Sequence, residues 1–423
     1  MKQKHHRMLC AFCALVILVS TVFPTAAFAE QPVDAAAAEQ TLTRADAAEM
    51  QQADAAVTVL TESEQYQEMD TEARKDAALA QLDTLAAKGL VEKDSIYTDE
   101  ENGMVSFRYP CGVLGGILLT EPEDETLDEE NAETETTSNA LPLRLPPDLG
   151  AEMQKSRAAL LRRTENQAVE KFGTAVIYYA FYNTINSSRF PYYSYMQGFW
   201  SALGLETKIN IHVTVADLKK MGNYNVSVLS AHGSYYTYSY GKFLKRTRTE
   251  PIMLLTEEST FGKDLRYGFD LLAHRVIKVN GMYCVTSDFF RNAYKGGKLS
   301  NTIVYSETCE FLGVDGSEDN AMADALLSGG AQAVIGYVNN VYTVYSRSML
   351  WDTINHLIMG QNVGQALEHA KATYVEDDLI WYHAQGGRRP HAAASYAVLY
   401  GNSQAALHVP ESNRSMFSAD LAA

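Results

Sequence analysis

Cysteine is scarce in this chain, with five residues in 423. Basic charge is short as well, at 35 Lys and Arg against 52 Asp and Glu. So acidic a protein offers no electrostatic footprint for a phosphate backbone, which argues against nucleic acid as a partner. Several catalytic signatures are missing too. There is no G-x-S-x-G elbow, no H-E-x-x-H and no phosphate-cradling G-x-x-x-x-G-K-[ST], and each absence removes a class of enzyme. Long apolar runs number one, Met8 to Val22.

That run follows Lys2, Lys4 and Arg7 and precedes Ala27-Phe28-Ala29, a small-x-small cleavage signal. Residues 1–29 are therefore expected to be a Sec signal peptide cut after Ala29. The run is short for a spanning helix and ends in Pro24, so no stable membrane anchor is expected and the product is secreted. Its removal leaves 32 basic against 52 acidic residues, a net charge near −20. Three cysteines remain, Cys111, Cys284 and Cys309, with no C-x-x-C pair among them. In an oxidising compartment thiols pair, so an odd number leaves at least one free or joined to another chain.

Composition divides the rest. Residues 30–70 are rich in Ala, Glu, Gln and Asp and read as weakly helical or disordered. From Thr71 to Leu90, Ala78, Leu79, Leu82, Leu85 and Ala86 recur at helical spacing and Gly89 supplies a stop. MVSFRYPCGVLGGILL, Met104 to Leu119, holds two β-rich runs around Pro110 and Gly112, with Cys111 in the turn. Together these form an expected small α+β N-terminal pro-region, residues 30–120. Glu121 to Thr137, EPEDETLDEENAETETT, cannot bury enough apolar surface to order itself, and with LPLRLPPDLG it makes an acidic, proline-bearing linker over 121–150. Residues 151–410 read as one α/β domain. TAVIYYAFYN, TKINIHVTV, YNVSVLSAHG, NTIVYSETC and AQAVIGYV predict strands, and helical segments such as PYYSYMQGFWSALGL and Asn320–Ser328 lie between them. The alternation predicts a mostly parallel sheet flanked by helices.

Ligands bind such sheets beyond the carboxyl ends of the strands. SVLSAHGSYY places His232 at one such end, and NTIVYSETC places Cys309 at another, 77 positions later. If the two strands are neighbours, an imidazole and a thiol share one crevice. A thiolate attacks carbonyl carbon, and an imidazole can promote its formation and then protonate the leaving amine. Gly233 removes a side chain where substrate must approach. Its N–H and that of Cys309 can face the oxyanion of a tetrahedral intermediate. Cys284, in GMYCVTSDFF, lacks such company and reads as a packed strand residue.

SAHG and ETCE at strand ends, followed by a helix and GGAQAVIGYV, resemble the caspase-like cysteine peptidases of clan CD, which include clostripain, gingipains, legumain, metacaspases and CHAT domains. SMLWDTINHLIMGQNVGQALEHAKATY resembles the paired helices of CHAT and gingipain-like domains, and AVLYGN their last strand. The likeness runs from about Thr174 to Asn402. It implies a caspase-like α/β/α sandwich, His232 and Cys309 as catalytic pair, hydrolysis of protein or peptide substrates through a thioester, and no required cofactor. Two departures stand out: Glu307-Thr308-Cys309 replaces the Ser-Ala-Cys common in CHAT domains, and Asn339-Asn340 stands where they carry an acidic residue. Clostripain and metacaspases have an acidic residue two positions before the nucleophile, which implies that Glu307 binds an Arg or Lys side chain of the substrate. SRAALLRR (Ser156 to Arg163) and GKFLKRTRTE (Gly241 to Glu250) then become self-processing sites, and the N-terminal region the pro-segment of a zymogen covering the cleft. Asp315, Glu318 and Asp319 could hold calcium, as in some relatives, although their spacing fails the EF-hand pattern and helix capping by Ser317 or Asp319 is the favoured reading. The alternative from another class is a caspase-like scaffold that binds peptides or protein partners without turnover.

Overall fold

A computed structural model describes residues 41–119, 153, 155, 169–181, 192–241, 245–379 and 394–417. The expected signal peptide, the acidic linker and SRAALLRR lie outside these residues. The first element, α1 (Arg44–Thr61), begins in a capping box: Asp46 N–H donates to Thr43 Oγ1 at 3.1 Å while Thr43 N–H donates to Asp46 Oδ2 at 2.8 Å. It is an ordered helix with Ala47, Met50, Ala53 and Val57 buried, so the part of residues 30–70 that is described is firmly and not weakly helical here, while residues 30–40 lie outside the described residues. After α2 (Thr71–Ala87) come β1 (Tyr97–Asp99), β2 (Met104–Arg108) and β3 (Leu114–Leu118).

The second part of the chain starts with β4 (Gly173–Tyr179), α3 (Tyr192–Ala202), β5 (Leu205–Asn210) and β6 (Val226–Ser230). Next are β7 (Gly233–Tyr240), β8 (Arg246–Glu258), α4 (Phe261–Leu272), β9 (Val276–Val279), β10 (Met282–Thr286) and α5 (Ser287–Ala293). The chain then forms β11 (Ile303–Ser306), the two-residue strands β12 (Gly313–Val314) and β13 (Ser317–Glu318), α6 (Ala321–Ser328) and β14 (Ala333–Val338). The paired helices α7 (Thr343–Ile358) and α8 (Val363–Tyr374) precede β15 (Tyr396–Gly401).

Six strands build a central sheet in the order β15-β14-β11-β6-β4-β5, parallel except for β15. Its side chains alternate as the pleat demands. Ala175, Ile177, Tyr179, Val226, Val228, Ile303, Tyr305, Ile335 and Tyr337 face one core with α3, α7 and α8. Val176, Tyr178, Leu229, Val304, Val334 and Val338 face the other. Both faces of the inner strands β4, β6, β11 and β14 are covered, which is why these read as near-continuous apolar runs, while the edge strand β5 alternates buried and exposed positions. The fold is thus mixed α/β with a mostly parallel central sheet between helical layers.

A second sheet, not anticipated from the sequence, runs β1-β2-β3-β9-β10-β8-β7 and is antiparallel except at β3 and β9. It curls. Arg108 donates to Ser239 O at 2.8 Å and Tyr236 OH to Gly115 O at 2.8 Å, which brings β7 over β2 and β3. Met104, Leu114, Tyr236, Tyr238, Ile252, Ile277, Val279 and Cys284 fill the inside of the curl.

Three of the seven strands come from the N-terminal region, so the boundary at residue 120 divides the sequence and not the packing. From Thr41 onward the chain forms one compact unit. A buried ion cluster fastens the two segments. Lys278, 1 % exposed, meets Asp54 of α1 at 2.5 Å and Asp264 of α4 at 2.9 Å, and the hydroxyls of Tyr109 and Tyr283 donate to these carboxylates. Of GKFLKRTRTE, residues 242–244 lie outside the described residues, and the rest departs from expectation. Arg246 and Arg248 are not in a loop but in β8, opposite Tyr240 and Tyr238 of β7, and Arg248 reaches Glu250 and Asp288. Strand pairing ties up the backbone that a peptidase would need.

Lys278→Met leaves Asp54 and Asp264 buried without their cation. Breaking a buried pair in this way costs about 3–5 kcal/mol, so a loss of that size is expected in urea unfolding. A change under about 1 kcal/mol would show that the cluster does not join the segments.

Candidate active site

Cys309 and His232 stand at one level of neighbouring strands. The β6–β11 register pairs Leu229 with Ser306, and each of the two residues lies three positions past that pair. Parallel neighbours are about 4.8 Å apart, so the strand ends bring the imidazole and the sulfur to the same rim. Gly233 closes the arrangement from the side. A Cβ built there would lie 2.5 Å from Thr308 Cγ2 and collide with Cys309 O, so only glycine lets the two backbones approach this closely.

Hydrogen bonding fixes where Gly233 points. Leu254 N–H donates to His232 O at 2.9 Å, and Gly233 pairs with Met253, so Gly233 occupies a non-hydrogen-bonded position of the β7–β8 ladder. Its N–H is directed away from β8, and β7 ends the sheet.

The imidazole of His232 packs edge-on against Phe181, with ring centroids 4.3 Å apart. Burial disfavours the charged ring and lowers its pKa to about 4. Cys309 is partly exposed, and Val341 N–H approaches its sulfur at 3.4 Å, a donor suited to a thiolate. Cys111 and Cys284 are free thiols, and burial pushes both up, most strongly for the fully buried Cys284. They are packing residues.

A narrow pocket opens beside Cys309, lined by Phe181, Tyr193, Ser230, Glu307, Val341 and Ser346. Its room is about 10 Å3, that of about one water molecule. Glu307 is buried, with Tyr193 OH donating to Oε2 at 2.6 Å and Ser346 Oγ to Oε1 at 3.3 Å. Burial raises its pKa, and the nearby guanidinium of Arg347 opposes the rise. Arg347 is itself fully buried on α7, its Nε donating to Tyr193 OH at 3.4 Å and its guanidinium lying over the Tyr192 and Tyr193 rings. The carboxylate that the sequence offers to a substrate cation thus already has a cation of its own.

Sequence reasoning missed Arg347 and also Asp378. The latter is fully buried and accepts Tyr342 N–H and Ser395 N–H at 2.9 Å each, pinning the segment that carries Val341. Neither charge leaves a periodic signal. Of the expected calcium ligands, Asp319 accepts Ala321 N–H at the head of α6 and Tyr235 OH, and Glu318 accepts Tyr400 OH. Asp319 thus serves the start of α6 from the position before its N-cap, Asn320, whereas Ser317 lies in β13 and does not cap the helix. Asn339 adopts φ 67° and uses its side-chain amide on Gly316 N and Ala394 O, a structural role.

No protein-family model matches this chain, and no curated protein matches it with significance. Among the described residues no helix is long and apolar enough to cross a membrane.

Two outcomes follow from this geometry. An unfolded histidine titrates near 6.5 and folded His232 near 4, so between these values the unfolded chain binds the extra proton and stability falls as pH drops. His232→Gln should flatten the urea-measured stability profile between about pH 6.5 and pH 4, and ring titration followed by NMR near 6.5 would contradict the burial. Gly233→Ala should lose reactivity of Cys309 toward a thiol reagent, because the added methyl must push the Cys309 carbonyl aside.

Proposed function

We propose that this chain is a secreted caspase-like cysteine endopeptidase. The observation that carries the reading is the common level of His232 and Cys309 on adjoining parallel strands, with Gly233 packed on the Cys309 carbonyl. His232, neutral at ordinary pH, takes the Cys309 proton as the sulfur attacks the scissile carbonyl carbon. The oxyanion faces the N–H groups of Gly233 and Cys309. Collapse breaks the C–N bond, His232 returns the proton to the departing amine, and water then hydrolyses the thioester by the same route. No cofactor or metal enters these steps.

Selection of the side chain before the cut falls to the pocket floored by Glu307. Recognition of Arg or Lys needs an unpaired carboxylate. Arg347 already balances Glu307, so the pocket prefers an uncharged side chain, and basic specificity requires Arg347 to withdraw.

A second reading is favoured by the pocket's small volume: a scaffold that binds peptides without cutting them. The two separate cleanly. Purified protein should cleave fluorogenic substrates with uncharged residues before the scissile bond faster than their Arg, Lys or Asp counterparts, and Cys309→Ala should lose at least the ~10³-fold that nucleophile removal costs. A thiol-reactive peptide should label Cys309 and fail to label His232→Ala. Absence of both cleavage and labelling in the wild type favours the scaffold.

A further inference from the structure

Away from this rim, α7 and α8 bring together Asp352, His356 and His369. Among the described residues no other group of three His, Cys, Asp or Glu side chains offers ligand atoms this closely gathered, all within 4.8 Å of one another. Asp352 and His356 are four positions apart on α7 and share a face. His369 answers from α8, its Nδ1 2.7 Å from Asp352 Oδ2, while His356 Nε2 is 3.7 Å from Asp352 Oδ1. The imidazole rings stack with centroids 3.7 Å apart.

A second, independent observation concerns the far side of His356. The residue is 8 % exposed, and its Nδ1 is buried without a well-formed hydrogen bond. So is Oε1 of Gln361, whose backbone N–H donates to His356 O at 3.0 Å and whose side chain is turned toward the ring. The Gln361 side chain is thus the hydrogen-bonding counterpart of the His356 ring on that side. A cation on Nε2 leaves the ring proton on Nδ1, where Gln361 Oε1 can accept it. That is how metal-bound imidazoles are commonly held.

We propose that Asp352, His356 and His369 bind a divalent transition-metal ion of the zinc class, with Gln361 fixing the tautomer of His356. Two neutral imidazoles and one carboxylate suit Zn2+, Co2+ or Ni2+ better than calcium, which prefers oxygen ligands. His369 is about half exposed, which leaves a position open to water. Thr343 at the head of α7 is thirteen residues before His356, about 20 Å along a helix, so the ion fastens α7 to α8 and takes no part in events at Cys309.

The test uses the full chain, freed of metal by a chelator and titrated with Co2+. One ion per chain is expected, with visible ligand-field bands of nitrogen and oxygen coordination, no sulfur-to-cobalt charge-transfer band in the near ultraviolet, and a rise in Tm that saturates with the bands. His369→Ala, at an accessible position, should abolish the bands. Gln361→Leu should weaken affinity ~10–100-fold, and Cys309→Ala should change nothing. Absence of bands and Tm shift in the wild type overturns the proposal. So does binding that survives His369→Ala or is lost in Cys309→Ala.

Discussion

The whole arrangement depends on one crossing of the chain. β6 ends at Ser230 in the parallel sheet and β7 starts at Gly233 in the curled one, so Ala231 and His232 are the bridge between two sheets. A strand that must leave one sheet and enter another within two residues has little freedom. Its carbonyl at His232 is held by Leu254, and its next residue is pressed against the Cys309 backbone. The imidazole is therefore positioned by backbone constraints on both sides, before any side-chain partner is considered. Rigid elements place reacting groups better than loops do. An apolar strand ending in His-Gly has this explanation: the histidine marks the crossing and the glycine permits the contact.

Below that crossing the electrostatics are internally balanced. Burying Glu307 alone would be prohibitive, and burying Arg347 alone equally so. Set together, with Tyr193 between them, they become affordable and rigid, and they connect β11 to α7 and α3. Glu307 then shapes the floor beside Cys309 while contributing little net charge to it. Asp378 performs an analogous service on the other flank by holding the turn that presents Val341 N–H to the sulfur. The rim is thus braced by buried polar groups and not by its apolar lining alone. The same buried groups limit the room for a side chain.

What could be read from the sequence was what periodicity and strand-end chemistry encode. The inner parallel strands are apolar on both faces, helical segments alternate with them, and His232 and Cys309 fall at strand ends by inspection. Harder were the elements whose identity comes from distant partners. α1 is Ala-, Gln- and Asp-rich with few large apolar residues, and it reads as weak because its anchor is Asp54, a charge that only makes sense once Lys278 is known to be buried 224 positions away. RTRTE in β8 looks like a basic loop until Tyr238 and Tyr240 are placed opposite its arginines. Arg347 and Asp378 failed to announce themselves for the same reason. A buried charge in a linear sequence is indistinguishable from an exposed one.

This coupling also changes what a proteolytic cut in the acidic linker could achieve. Residues 41–119 supply three strands, and Gly115 and Gly116 pair with Lys278 and Val279 in the middle of the curled sheet. Departure of that segment would expose two sheet edges, open the small core around Tyr236 and Tyr238, and leave Lys278 short of one carboxylate. Tyr236 and Tyr238 belong to β7, the strand that begins beside His232. None of the residues lining the pocket at Cys309 comes from 41–119. A segment that buttresses the histidine strand while lining none of that pocket is joined to the rest by strand pairing, a shared core and a buried ion pair, and a nick in the linker alone leaves all three in place.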